Sequence, residues 1–177
     1  MNPASKTALK ISSATAVIVI AVAFVIVEFR GMSRSGQTTA KIWFYDESEK
    51  QLYAVPQNTL PPDKGIGGPS GDGYHAVVIT FPGEQQDAGK RRIAYLETYS
   101  SELKDLLEQV ASAHAAGHIY AGNIPSRSSD FFQTKTLVKR VDESEWHPAT
   151  SPEGHAILTE WRKWRGPNGE RPIISVP

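Results

Sequence analysis

The segment KIWFYDESEKQLYAV, residues 41–55, alternates its side chains in two short bursts around a charged tip. Ile42 and Phe44 fall on one side and Trp43 and Tyr45 on the other; Leu52 and Ala54 then oppose Tyr53 and Val55. A period of two over β-branched and aromatic residues, broken at 46–50 by a polar tip of hairpin length, predicts an antiparallel β-hairpin. Downstream, YHAVVITFP (74–82) is apolar enough for a buried strand and GEQQDAG (83–89) reads as a turn. KRRIAYLETY (90–99) returns as a strand with Ile93, Tyr95 and Glu97 on one face. Four strands of this kind make one antiparallel sheet. Between them, PQNTLPPDKGIGGPSGDG (56–73) holds four Pro and five Gly and is a long loop. It has no G-x-x-x-x-G-K-[ST], and its glycines lead into a strand instead of following one, so it is not a phosphate cradle.

The sheet needs a covering layer. Over 101–116, Leu103, Leu106, Leu107 and Val110 sit at i, i+3, i+4 and i+7, with Ser100 or Ser101 as N-cap, Glu102 and Asp105 in the first turn and Gly117 as the stop. A second helix starts at the Ser151 cap with Pro152 in its first position and runs to about Arg165, where Gly166 and Pro167 end it. Ile157, Trp161 and Trp164 form its apolar stripe, with Leu158 beside it. Residues 117–130 read as a loop, 131–141 (FFQTKTLVKRV) as a strand, 142–154 as a polar connection, and RPIISVP as an edge strand.

The N-terminus is a different material. ISSATAVIVIAVAFVIV (11–27) is uncharged between Lys10 and Glu28. As a helix it spans about 26 Å, and Leu9, Phe29 and snorkelling Lys10 and Arg30 close the gap to a hydrocarbon core of about 30 Å. The small-x-small triplet Ala21-Val22-Ala23 lies inside the apolar run, with four apolar residues after it, so an uncleaved signal anchor over 11–29 is expected in preference to a cleaved signal peptide. A pilin-like start requires a Glu near the beginning of the run, whereas Glu28 stands at its far end. Residues 1–10 form a short tail and 30–38 a small polar linker; 39–177 form the domain. Lys6 and Lys10 precede the span and Arg30, Arg34 and Lys41 follow it, a near balance. The usual arrangement of a signal anchor then places the tail inside the inner membrane and the bulk on the periplasmic side. The expected fold class is α+β: an N-terminal transmembrane helix plus a small domain with an antiparallel sheet covered by two helices.

Charge and composition remove chemistries. The 177 residues hold 19 Lys plus Arg and 19 Asp plus Glu, and the mean hydropathy is -0.35. Taking away the three basic groups and one acid of the first 30 residues leaves 16 against 18, too acidic for a general nucleic-acid binder. With no Cys there is no disulfide, iron–sulfur cluster, thiolate zinc site or Cys nucleophile.

Individual residues offer little catalysis. His114 and His118 are spaced i, i+4, the metal-binding spacing on a helix, but lack the Glu of H-E-x-x-H, and Gly117 falls between them. His75 reads as a structural histidine in a strand, while His147 and His155 flank the second helix start. Ser126, Ser128 and Ser129 have no G-x-S-x-G elbow. Tyr45, Tyr53, Tyr95 and Tyr99 follow from sheet propensity. Trp161 to Arg165 alternates aromatic and basic groups, suited to a membrane surface or a polyanion; on a helix the tryptophans face the core and the arginines water. Trp43, Tyr53, Trp161 and Trp164 are the candidates for an interaction surface. No cofactor set is legible.

KIWFYDESEKQLYAVP with its Pro-rich loop, then AVVITFP and RRIAYLETYSSELKDLLE, then EWHPATSPEGHAI with a Pro-bearing tail, resembles small uncharacterised single-pass membrane-anchored proteins of planctomycete-type bacteria. The similarity spans most of 40–177 and rests on Trp43, Phe44, Tyr45, Asp46 and Leu52, on Tyr95, Leu96, Glu97 and Tyr99, and on Trp146, Ser151, Glu153 and Gly154. It implies one span and a small domain, and lends no catalytic residue. Such proteins often carry cysteines in the middle strand and near the C-terminus; none stands here, so no metal or disulfide role transfers. The expected function is a noncatalytic domain for protein interaction, an accessory subunit of a membrane or envelope assembly. Lipid contacts run through 11–29, with a protein partner and no nucleic acid. The alternatives are a weak metal-binding or hydrolytic enzyme using His114 and His118, and a pseudopilin-like secretion component.

Overall fold

The computed structural model describes residues 40–68, 71–122, 124–125 and 130–177. The expected anchor at 11–29, the linker 30–38 and Ser126, Ser128 and Ser129 lie outside them. Among the described residues no helix is long and apolar enough to cross a membrane.

The hairpin forms as its alternation requires. β1 (Lys41–Asp46) and β2 (Gln51–Pro56) pair antiparallel along their full length, from Lys41 opposite Pro56 to Asp46 opposite Gln51. β3 (Gly73–Thr80) joins the other side of β1, and β4 (Arg92–Tyr99) joins β3. Then come α1 (Ser101–Ala115), α2 (Asp130–Lys135), β5 (Thr136–Lys139), β6 (His147–Pro148), α3 (Pro152–Glu160) and β7 (Ile173–Ile174). The antiparallel sheet runs β2-β1-β3-β4-β5-β6, and β7 pairs with the C-terminal end of β3.

Three sequence expectations are corrected. Residues 131–141 are not one strand. Phe131 and Phe132 lie in α2, where Phe132 packs on Tyr99, Leu103 and Leu107, and only Thr136–Lys139 extends. A short apolar run carries no period that separates helix from strand, and burial of Phe132 under α1 decides it. Among the described residues the covering layer therefore has three helices. Second, Ile93 does not share a face with Tyr95. β4 carries an extra residue at Ala94, between the Val77–Tyr95 and Val78–Ile93 pairs, and this bulge reverses the side-chain parity behind it. Third, α3 stops at Glu160 and tightens into a 3-10 turn at Trp161–Lys163 instead of reaching Arg165. Trp164 is already extended, so the two tryptophans part company.

The predicted caps are present. The Ser100 hydroxyl accepts the Leu103 N–H, and the Ser151 hydroxyl accepts the Gly154 N–H at 3.0 Å. At the end of α1, Gly117 takes φ 73°, and its N–H and that of His118 close on the carbonyls of His114 and Ala113, both at 2.9 Å.

The helices lie on one side of the sheet. α3 and the turn after it bury Ile157, Leu158 and Trp161 against Val77, Ile79, Ala94, Tyr95 and Val138. α1 and α2 bury Leu103, Leu107 and Phe132 against Tyr99. Each side chain so buried contributes about 1.5–3 kcal/mol. Ala76, Val78 and Leu96 point the other way, and no described helix covers them.

The Pro/Gly loop is held by Asp46. Read as part of the charged tip, Asp46 is instead fully buried at the end of β1. Its Oδ1 accepts the Ser48 hydroxyl and the Glu49 N–H, both at 2.9 Å, and its Oδ2 accepts the Ile66 N–H at 2.5 Å and the Gly67 N–H at 3.3 Å. The Glu49 amide, aided by the other donors, outweighs desolvation and brings the carboxyl down to about 2. Gly65, at φ 78°, passes directly over this carboxylate, where a Cβ would collide with it.

Candidate functional site

On the helical side, the strand registers set Tyr53, Phe44, His75, Glu97, Val138 and His147 in one row across the sheet. Glu97 is 3% exposed, opposite His75 on one side and Val138 on the other. Burial pushes its carboxyl up to about 7, and burial pushes the partly covered His75 imidazole down to about 4. Both therefore prefer their neutral forms. Phe44 lies beside the imidazole with ring centres 6.1 Å apart. Phe44, Glu97 and Val138 at the centre of this row are buried, while Tyr53, His75 and His147 are partly covered.

The other face is built differently. Trp43, Tyr45, Leu52, Tyr74, Ile93 and Trp146 surround Ala76, Val78 and Leu96 and remain half-buried, because no described helix lies on them. Two cations are set into this aromatic layer. The Arg91 guanidinium stacks 4.7 Å from the Trp43 ring centre. Lys139, 2% exposed, places its ammonium 4.9 Å from Trp146 and 5.6 Å from Tyr74, and pairs with the Glu47 carboxylate. Tyr74 and Trp146 meet edge to face at 4.8 Å. The Glu47 carboxylate thereby offsets the charge of Lys139. By contrast, Trp43 Nε1 and Arg91 Nε are buried donors with no acceptor among the described residues, and Thr98 Oγ1, on the same face, is also unmatched. Each such buried atom left without a bond costs about 1–3 kcal/mol.

The sequence candidates are scattered over this architecture. Trp43 is on the open face. Tyr53 is on the helical side, its hydroxyl buried against Gly73, where burial and the carboxylates of Asp63, Asp46 and Asp72 raise it to about 12. Trp161 is 6% exposed in the α3 core, its Nε1 donating to the Leu158 carbonyl at 3.0 Å. Trp164 is 36% exposed. His114 stays on α1, but the left-handed turn at Gly117 carries His118 past the helix end, so the two imidazoles do not share a helix face. Among the described residues no group of three or more His, Asp or Glu is placed to hold a metal ion.

Sequence reasoning did not place Tyr74, Arg91, Lys139 or Trp146 among the interaction candidates, Trp146 entering only through the resemblance. Trp146 sat in a polar connection and Lys139 in a strand of mixed character. The alternation that places Lys139 beside Leu96 becomes visible only when α2 is removed from that strand. Arg140, next to it, anchors α3: its guanidinium grips Glu160 at 2.6 and 2.8 Å, Glu143 at 2.7 Å and Glu153 at 3.0 Å.

No family model, curated protein or solved structure matches the chain.

Proposed function

We propose that the chain is a single-pass inner-membrane protein, anchored through 11–29 with its bulk on the periplasmic side. Its noncatalytic α+β domain binds another protein as an accessory part of a membrane or envelope assembly. The observation that supports the binding role is the uncovered aromatic face: Trp43, Tyr45, Tyr74 and Trp146 with Arg91 at its edge. Trp, Tyr and Arg are the residue types that carry most energy at protein interfaces, since each buries a large rigid surface. The anchor rests on the uncharged run 11–27 and its basic flanks.

The test is co-purification of the full chain in mild detergent, comparing Trp43→Ser with His155→Ala, an exposed position of α3. The proposal expects the partner to be lost with the first and kept with the second, at unfolding midpoints that show both variants folded. Recovery of the isolated chain alone, or equal recovery of partner by both variants, would refute it.

A further inference from the structure

The strand registers divide the charges of the domain between the two ends of the sheet. β1 runs antiparallel to β3, with Phe44 opposite His75, so Lys41 lies toward the Val78–Thr80 end. β4 starts at that same end, Arg92 opposite Ile79, directly after Lys90 and Arg91. β7 pairs there too, and Gly166 packs against the Phe81 ring just beyond β3. The segment around Arg162, Lys163, Arg165 and Arg171 is therefore gathered at this end. That end also holds Glu84, Asp87 and Glu170, but its basic groups outnumber them; the far end carries Asp46, Glu47, Glu49, Asp63 and Asp72 against Lys50 and Lys64, around the β1–β2 turn and the loop before β3. A chain that is nearly neutral in sum is thus polarised.

The basic end has three further features. A cleft of about 310 Å³ opens between Trp161, Arg162, Arg171 and Pro172. Neither guanidinium meets a carboxylate among the described residues; Arg162 only stacks 5.5 Å from the Trp161 ring centre. The nearby acid Glu170 is occupied by the Asn168 amides at 2.8 and 3.0 Å. The residues that flank the cleft's lining in sequence expose apolar side chains: Trp164, Ile173, Ile174 at 54% and Val176 at 73%. Finally, β1 starts at this same end with Lys41, so the preceding chain joins the domain there. A linker of about ten residues spans at most about 35 Å, which keeps the end within reach of the bilayer.

We infer that the basic end of the sheet rests on the membrane surface, with Trp164, Ile174 and Val176 in the headgroup layer and Arg162 and Arg171 holding the phosphate of an anionic lipid. The inference rests on the proposed anchor. Bulky apolar groups interleaved with arginines suit the interface: the former leave water, while the latter are drawn to anionic headgroups and fork onto phosphate oxygens. The geometry also leaves the aromatic face standing off the bilayer, open to a partner.

Because the chain has no Cys, a single fluorophore can be placed at Ile174→Cys, or at Glu49→Cys on the far end, in the full chain. The chain is reconstituted into vesicles of phosphatidylglycerol or of phosphatidylcholine bearing a headgroup quencher. The inference expects strong quenching at 174 in phosphatidylglycerol, little at 49, and a loss of about tenfold in the bound fraction at 174 when R162E and R171E are combined. Equal quenching at both positions, or quenching at 174 indifferent to lipid charge and to R162E with R171E, would overturn it. Alkaline carbonate extraction reads the anchor separately. A chain released by carbonate refutes the anchor, while quenching by added phosphatidylglycerol vesicles still decides whether the basic end takes anionic lipid.

Discussion

Replacing Glu97 by Gln should make the protein more stable above neutral pH and cost it about 1 kcal/mol in mild acid. Glu97 is buried in the central row of the sheet, between His75 and Val138, with Tyr95 and Tyr99 above and below it on β4. Its carboxyl titrates at about 7 in the folded protein against 4.5 in the unfolded chain, and desolvation is the cause. The folded state thus binds this proton more tightly. The contribution to stability is complete below about pH 4.5 and is lost as the pH rises through 7. A difference of about two and a half units corresponds to about 3 kcal/mol between pH 4.5 and pH 8.5. Gln keeps the shape and never ionises, so E97Q removes that loss; its extra N–H donors cost about 1 kcal/mol at every pH. His75, whose imidazole is lowered to about 4, contributes the opposite slope, lost as the pH falls from 6.5 toward 4. It is present in both proteins, so the difference between them reports chiefly the carboxyl of Glu97. Urea unfolding of the full chain in mild detergent, followed by the fluorescence of its four tryptophans, measures the difference at each pH. A gap between E97Q and the parent that does not grow from pH 4.5 to 8.5, or that favours the parent at pH 8.5, would refute the reasoning.

Three other perturbations probe separate parts of the structure. Asp46→Ala strips the acceptor from the N–H groups of Glu49, Ile66 and Gly67, and should cost about 2–4 kcal/mol. Amide hydrogen exchange at Ile66 and Gly67 should rise well above that of the β3 core; unchanged protection there would remove Asp46 from its role. Because the Asp46 carboxyl is lowered to about 2, its contribution is present above about pH 4 and fades only as the pH drops toward 2. Arg140→Met leaves Glu143, Glu153 and Glu160 facing one another without a cation and should cost about 1–2 kcal/mol, less in 1 M salt. An effect insensitive to salt would assign Arg140 to packing instead. Leu103→Ala, in the closed core beneath α1, should cost about 2–4 kcal/mol by denaturant midpoint, whereas Glu108→Ala on the exposed side should stay within about 0.5 kcal/mol.

Where the chain carries a strong period or a cap, residues and structure agree. The β1–β2 hairpin follows from alternation around a polar tip, and α1 from its leucine stripe, the Ser100 cap and Gly117. Where one residue changes parity or a long-range contact decides, local reading fails. The bulge at Ala94 has no Gly or Pro to announce it, so Ile93 lands on the open face. The burial of Asp46 depends on amides twenty residues downstream, and nothing near Asp46 separates it from the other charges of the tip. The same holds for the proposed interface. Trp43 is visible as an aromatic on a strand, but Tyr74, Arg91, Lys139 and Trp146 come from four separated segments that only the sheet order brings together. Trp161 and Trp164, three apart on an expected helix, diverge because the helix tightens and ends between them.

Whether the open face is the binding face is read most directly by site-specific photocrosslinking in intact membranes. A benzophenone side chain is placed at Leu52, on the aromatic face, or at His155, on the helical side. The account predicts a discrete crosslinked protein species from position 52, absent from position 155 and competed away by excess chain but not by excess Trp43→Ser. Crosslinking from 155 with none from 52, or no protein crosslink from 52 while the chain is folded in the membrane, would contradict it.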